Sequence, residues 1–141
     1  RLYDALLSKH DAYGSFDGGP SRSDLEQLRR EEHEHMLLLH GALTGLGADP
    51  TAVTASANLQ LTIGRGIPDV ATDARTTLLE SLEAALVAEL ADGASWESLI
   101  AIAEAHGFDE LAQQGRQALA TEDEHLEKVR SWIAAGHGLT E

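Results

Sequence analysis

The stretch from Leu111 to Ile133 repeats apolar side chains at steps of three and four residues, which is the period of one buried helix face. Glu122 and His125 lie on this same face, three residues apart. A buried carboxylate or imidazole costs several kcal/mol unless something pairs with it. A bound metal ion is the simplest partner that would serve both side chains.

Two further helical patterns carry acids on their apolar faces. Glu32 and His35 repeat the Glu-x-x-His spacing on the face whose apolar members are Leu25, Leu28, Leu39, Ala42 and Leu46. Glu89 lies on the face formed by Leu79, Leu82, Leu86, Gly93, Trp96, Ile100 and Ala103. Counted from the turn near Gly107, Glu89 and Glu122 differ by only about 6 Å along the helix axis. The sequence therefore predicts that these carboxylates meet at one metal centre.

The first half of the chain reads as two helices. Residues 2–13 form a short helical pattern, and the glycines and proline of residues 14–21 predict a loop. Ser23 and Glu26 have the spacing of a capping box, so the second helix is expected to begin there. Gly47 is expected to end it.

The second half reads as two longer helices after a long connection. Residues 48–67 show no sustained period and predict a connection with about one helical turn. Such a length suits a crossover between parallel helices. A third helix is expected from Asp69, continuous through Gly93 because the apolar face keeps its phase there. Gly107 is expected to end it, and the fourth helix to open at Asp109.

Composition limits the class of protein. The 141 residues suit one domain, 1–141, and the low aromatic content of 4% favours helices. The absence of cysteine excludes thiolate metal sites and disulfides. The net charge of −14 argues against a nucleic-acid partner. No run is apolar enough to span a membrane and no signal peptide is visible, so we expect no membrane partner and a cytoplasmic location.

The metal-site pattern resembles the ferritin-like superfamily of di-iron carboxylate bundles, which includes ferritins and rubrerythrins. The residues that carry the resemblance are Glu32-His33-Glu34-His35, Glu122-Asp123-Glu124-His125 and the lone Glu89. The chain is also similar to small bacterial stress-linked ferritin-like proteins at Leu2-Tyr3-Asp4-Ala5, Leu46-Gly47-Ala48-Asp49-Pro50 and residues 99–109.

The resemblance implies an all-α, ferritin-like four-helix bundle with one long crossover between helices 2 and 3. It also implies two non-haem iron ions, with manganese as the alternative, and oxidation of ferrous iron by oxygen or peroxide in iron handling or oxidative-stress defence. Carboxylates with two imidazoles suit iron or manganese better than zinc. A homodimer is expected because Leu37, Leu38 and Leu90 lie outside the buried faces.

One position departs from the family pattern. The first helix should supply a fourth carboxylate, but Leu6 stands at the expected place. Asp4 serves instead, or a residue before Arg1 does, or the site is asymmetric and holds one metal. Asp92 and Glu31 are further candidates for a place beside the metal.

The same departure supports a different function, a non-enzymatic helical bundle that acts through association and whose metal site is vestigial. His33 is expected to face solvent, and His10 to be a core histidine or a substitute ligand. Tyr3 is a candidate redox-active neighbour of the site.

Overall fold

The computed structural model describes residues 1–139, and within that range the chain is all-α, with no β-strand. The helices are α1 (Leu2–Tyr13), α2 (Arg22–Gly45), α3 (Ala55–Gly64), α4 (Gly66–Thr72), α5 (Leu78–Ala105) and α6 (Asp109–Gly136). The all-α prediction is confirmed, and α1, α2, α5 and α6 correspond to the four predicted helices. In this part of the chain, none of the helices combines the length and the apolar character that crossing a membrane requires.

The beginning of α2 lies slightly earlier than predicted. Ser21, not Ser23, is the capping residue: its side chain accepts a hydrogen bond from the Asp24 backbone N–H, and the Asp24 side chain accepts one from the Ser21 N–H. The prediction of a Ser23–Glu26 box was wrong because two overlapping Ser-x-x-acid patterns occur here. The extended backbone of Ser21 decides between them, since a capping residue lies outside the helix.

The connection after α2 is more helical than predicted. It contains α3, capped by Thr54, and α4, where the sequence predicted about one turn. The helix expected from Asp69 is divided, because α4 ends at Thr72 and α5 begins at Leu78 behind a capping box of Thr77 and Glu80. No side chain of α3 is buried, so its sequence carries no one-sided apolar period that could reveal a helix.

One prediction for α5 and one for α6 are confirmed. Helix α5 continues through Gly93, and α6 begins at Asp109. Gly107 between them has a φ of +73°, a left-handed conformation that glycine adopts without a steric penalty.

Side-chain pairs define the directions of the first helices. Asp4 contacts Arg29 (3.2 Å), and Asp11 contacts Arg22 (2.9 Å), so α1 and α2 are antiparallel. Helix α1 also contacts α5. Tyr3 donates to Glu89, in the middle of α5, while Lys9 lies beside the residues that precede α5. Helix α1 is therefore antiparallel to α5 as well, and α2 and α5 point in the same direction.

Helices α5 and α6 form an antiparallel hairpin. Glu104 near the end of α5 pairs with Arg116 near the start of α6, and Glu83 pairs with His137 at the opposite end (3.4 Å). Since α2 and α5 are parallel, residues 46–77 carry the chain back along the length of the helices.

The apolar core lies where α1, the first half of α2, the first half of α5 and the last part of α6 overlap. It consists of Tyr3, Leu6, Leu7, Leu25, Leu28, Leu78, Leu82, Ala85, Val129 and Trp132. The second half of α2 differs from expectation: Leu39 and Leu46, predicted on the buried face, are 38% and 56% exposed. The polar contacts that join α2 to α1 and α6 lie between Arg22 and His35, and the helix extends beyond them.

Candidate metal centre

Three helices bring together four of the predicted residues. Glu32 on α2, Glu89 on α5, and Glu122 and His125 on α6 each place one potential ligand atom so that all four atoms lie within 4.8 Å of one another. We refer to these residues as the Glu/His cluster. Glu89, Glu122 and His125 are almost completely buried, and Glu32 is partly exposed. Such a set of oxygen and nitrogen atoms could hold a metal ion.

His125 is oriented by carboxylates on both sides of its ring. Its Nε2 lies 2.7 Å from Glu31 Oε2, and its Nδ1 lies 3.2 Å from Glu32 Oε1 and 3.5 Å from Glu89 Oε2. A bound metal ion would replace the proton on Nδ1, while the Nε2–H remains donated to Glu31. This is the usual arrangement of a metal-binding histidine, whose second nitrogen donates to a carboxylate or carbonyl.

The two buried glutamates share one pattern. Tyr3 donates its phenolic hydrogen to Glu89 Oε1. Trp96 Nε1 donates to Glu122 Oε1 (3.1 Å), which also lies 2.8 Å from His35 Nδ1. The other oxygen of each carboxylate, Oε2, is buried and has no hydrogen-bond partner within the described residues. Each side chain is thus held through one oxygen and presents the other to the cluster.

These two oxygens are the observation that tests whether a metal fits. A buried oxygen without a partner costs about 1–3 kcal/mol, and more when it is charged. Four carboxylates, including Glu31, face two imidazoles, so the site remains negative even with both histidines protonated. A divalent cation would contact the unpaired oxygens and offset this charge, and the residues present therefore fit a metal ion.

Neighbouring charged groups set the pKa values of the cluster residues. Burial lowers the pKa of His125, but the nearby carboxylates of Glu122 and Glu32 outweigh it and raise that pKa to about 12. Burial raises the pKa of Glu122, but the nearby imidazoles of His125 and His35 outweigh it and lower that pKa to about 2. Burial raises the pKa of Glu89 above its ordinary value. The carboxylate on α6 is therefore held in its charged form.

Of the open cavities that reach the cluster, two are lined by Glu32. One, of about 630 Å³, lies between α1, α2, α4 and α5 and is lined by Glu32, Glu89 and Asp92. The other, of about 380 Å³, opens between α2 and α5 beside His35 and Glu122 and is also lined by Glu32 and Asp92. Burial and the charge of Glu32 raise the pKa of Asp92 to about 7. Small molecules and ions can approach the cluster from both openings.

The remaining predicted residues lie around the cluster. His35 is its neighbour through Glu122, and Asp92 lines both cavities outside the group of four. Asp4 is exposed, pairs with Arg29 and is not part of the group. Leu6, at the position where a fourth carboxylate was expected, is a fully buried core residue.

Sequence reasoning gave too little weight to three supporting residues. Tyr3 replaces a carboxylate from α1 as the contact to Glu89, and Glu31 fixes the orientation of His125. Trp96 was expected only to pack, but its indole N–H also holds Glu122. Its position seven residues after Glu89, on the same face of α5, was the available signal.

Comparison with known proteins adds no relationship. No family model, no curated protein and no solved structure matches this chain. The functional argument therefore depends on the geometry of the Glu/His cluster.

Proposed function

We propose that residues 1–141 form a single ferritin-like domain that binds non-haem iron at the Glu/His cluster and oxidises ferrous iron with oxygen or peroxide. Manganese is the alternative metal. The observation that carries the proposal is the pair of buried carboxylate oxygens, on Glu89 and Glu122, that face His125 without hydrogen-bond partners. The glutamate of each Glu-x-x-His motif contacts the histidine of the other motif, between α2 and α6. This supports the resemblance to ferritin-like bundles.

The ligand set favours iron or manganese. Three carboxylates and one imidazole, with no thiolate in the chain, are the hard and borderline ligands that these ions accept. The resemblance implies two ions. The four residues of the cluster account for one, and His35, Glu122 and Asp92 are the residues that would hold a second.

The side chains would each have a separate task. Glu32, Glu89 and Glu122 would offset the charge of the metal, and His125 would bind through Nδ1 while Glu31 holds its other nitrogen. Bound iron would supply the change between ferrous and ferric states that reduces oxygen or peroxide. The two cavities would admit these small molecules beside Glu32.

Metal titration tests the proposal. Protein treated with a chelator and titrated anaerobically with ferrous iron should bind one or two ions per chain, and addition of air should oxidise them faster than iron in buffer. Glu122→Gln should weaken binding by at least about 100-fold, beyond the 10–100-fold loss typical when a ligand's hydrogen-bonding partner is removed. Glu124→Gln, an exposed neighbour on α6, is the matched control and should bind as the unaltered chain does.

The second candidate function is a non-enzymatic bundle with a vestigial site. The observation that favours it is the absence of a carboxylate from α1, where Tyr3 contacts the cluster instead. In that case the unaltered protein binds no iron, and Glu122→Gln changes only the melting temperature, by several degrees. Iron binding that depends on Glu122 excludes this alternative.

The cytoplasmic location, the homodimer and the role in oxidative-stress defence are parts of the same proposal. They follow from the sequence and from the resemblance.

A further inference from the structure

One segment of this acidic chain is almost without charge. Residues 35–64, the second half of α2 and all of α3, contain a single charged side chain, Asp49, although about a quarter of the whole chain is charged. We refer to residues 35–64 as the charge-poor segment. Charged residues normally cover a solvent-facing helix, so their absence from this segment is typical of a surface that is covered.

The charge-poor segment also contains most of the exposed large apolar side chains. Nine of the sixteen within the described residues lie in it: Met36, Leu37, Leu39, Leu43, Leu46, Val53, Leu59, Leu61 and Ile63. Leu61 is 74% exposed, and no side chain of α3 is buried. Leu39 and Leu43 line one cavity together with Pro50, and Met36 lines another together with Gly64, so parts of α2, the following loop and α3 lie near one another. Exposed apolar patches mark interaction sites.

The solvent-accessible surface area of the chain indicates how large an area a partner would cover. A folded monomer of 15.1 kDa exposes about 7,100 Å². This chain exposes 8801 Å², which is about 1,700 Å² more than expected. Obligate homodimers bury about 1,000–2,500 Å² on each subunit. The excess lies within the range of areas that one subunit of a stable dimer covers.

We propose that the charge-poor segment is the face through which a second copy of this chain docks. Two chains of net charge −14 repel each other, and they can approach closely only through faces that carry little charge. A two-fold dimer brings the same face of each copy together, so one neutral apolar face is sufficient. The area, the apolar side chains and the lack of charge then have one common explanation, which locates the face of the proposed homodimer and does not depend on metal binding.

The dimer would also affect the opening to the metal centre. The cavity beside His35 and Glu122 is lined by Leu39, Leu43 and Pro50, all in the charge-poor segment. A second copy seated there would cover this entrance, and Met36 and Gly64 of the same segment also line the one between α1, α2, α4 and α5.

Sedimentation equilibrium of the metal-free chain tests the proposal without reference to iron. The expected mass is about twice 15.1 kDa. The double variant Leu43→Glu/Leu61→Glu should be monomeric with an unchanged helical circular dichroism spectrum, because both side chains are exposed. Leu90→Glu, at an exposed leucine of α5 outside the segment, is the matched control and should remain a dimer.

Cross-linking gives a second measurement that does not depend on how the double variant folds. The chain has no cysteine, so Leu43→Cys or Leu61→Cys introduces a single thiol. Mild oxidation should produce a disulfide-linked dimer from at least one of these variants and none from Leu90→Cys. A monomeric unaltered chain, or a dimer that the double variant does not dissociate, would overturn the proposal and leave the face to a different protein or to a lipid surface.

Discussion

Tyr3 occupies the place at the cluster where a carboxylate from the first helix was expected. It is 4% exposed, and its hydroxyl donates to Glu89 Oε1. Burial and the neighbouring charge of Glu89 raise the pKa of Tyr3 far above its usual range, so the phenol stays a donor. A donor at this oxygen turns Glu89 Oε2 toward His125, which is how hydrogen-bonded partners orient metal-binding carboxylates.

Tyr3→Phe therefore tests whether the orientation of Glu89 contributes to metal binding. We expect ferrous iron to bind about 10–100-fold more weakly, because Glu89 loses the donor that fixes its position. Isothermal titration under nitrogen measures the affinity. Tyr13→Phe, an exposed tyrosine on the same helix, should leave it unchanged. Equal affinities for the two variants would show that Tyr3 only packs.

The shifted pKa values predict how the metal-free fold responds to pH. The pKa of His125 is raised from 6.5, so its stabilising effect is complete below pH 6.5 and is lost as pH rises toward 12. The pKa of Glu122 is lowered from 4.5, so its effect is complete above pH 4.5 and is lost as pH falls toward 2. Asp92, whose pKa is raised to about 7, contributes stability that is lost between about pH 3.8 and 7, so urea unfolding with a chelator present should give the highest midpoint near pH 4.5.

The decline above pH 6.5 comes from His125 and from His35, whose hydrogen bond to Glu122 also raises its pKa. His125→Gln should show a flatter dependence of the urea midpoint between pH 6.5 and 9, because the unfolded chain then no longer releases a His125 proton that the folded chain keeps. A midpoint that rises over this interval in the unaltered chain would contradict the assigned direction.

The acidic residues of the cluster were easier to predict from the sequence than the side chains that hydrogen-bond to them. Glu32, Glu89 and Glu122 were identifiable because a charged residue in phase with buried leucines is unusual, and His125 because it follows Glu122 by three residues. Tyr3 gave no comparable signal, since an aromatic residue on an apolar face is ordinary. Its role depends on the distance to another helix, which no local pattern contains.

Among the helices, α1 is attached by an unexpected residue. Lys9 is buried, and its Nζ donates to the backbone oxygens of Asp73 and Thr76, each at 2.7 Å. These oxygens belong to the turn between α4 and α5. The lysine therefore joins α1 to the end of the crossover and fixes the start of α5.

Lys9→Met tests this attachment. It keeps an apolar stem of similar length but removes two charge-assisted hydrogen bonds and leaves both carbonyl groups without a donor. Since each such bond contributes about 1.5–3 kcal/mol, we expect the free energy of unfolding to fall by at least this amount. Lys128→Met, at the only other lysine of the chain, is the control and should change it little. Guanidinium unfolding at pH 7 measures both, and equal stabilities would contradict the role of Lys9.

The helices that sequence reasoning placed correctly are those with one buried face. The period of α5 runs through Gly93 because residues on both sides of it pack against α6. Helix α3 was missed because burial, not helicity, generates the period, and α3 buries nothing within this chain. The break before α5 could have been found from Thr77 and Glu80, which form a capping box.

Metal binding should raise the melting temperature of the whole molecule. A ligand at 100 times its dissociation constant stabilises a fold by about 2.7 kcal/mol. For a chain of this size that corresponds to a rise in melting temperature of about 5–10 °C. Differential scanning calorimetry with ferrous iron under nitrogen should show the rise in the unaltered chain and not in Glu122→Gln. An equal rise in both would place the ion elsewhere.

The overall arrangement was predictable only in part. The length of the connection and the matching depth of the two Glu-x-x-His motifs indicated parallel second and third long helices, and the contacts of α1 show that α2 and α5 are parallel. The exposure of Leu39 and Leu46 was not predictable, because an apolar face looks the same whether it packs within a chain or against another.

The hydrogen bonds of the cluster have a consequence for the lifetime of the protein. They connect α2 to α6 across 87 and 93 positions of sequence, so atoms from the α1–α2 hairpin and the α5–α6 hairpin would share one ion. In a chain without disulfides, that ion would act as its only strong cross-link. When iron is scarce, separation of the hairpins would expose the apolar core between them to proteases, and the supply of the metal would regulate how long the molecule survives.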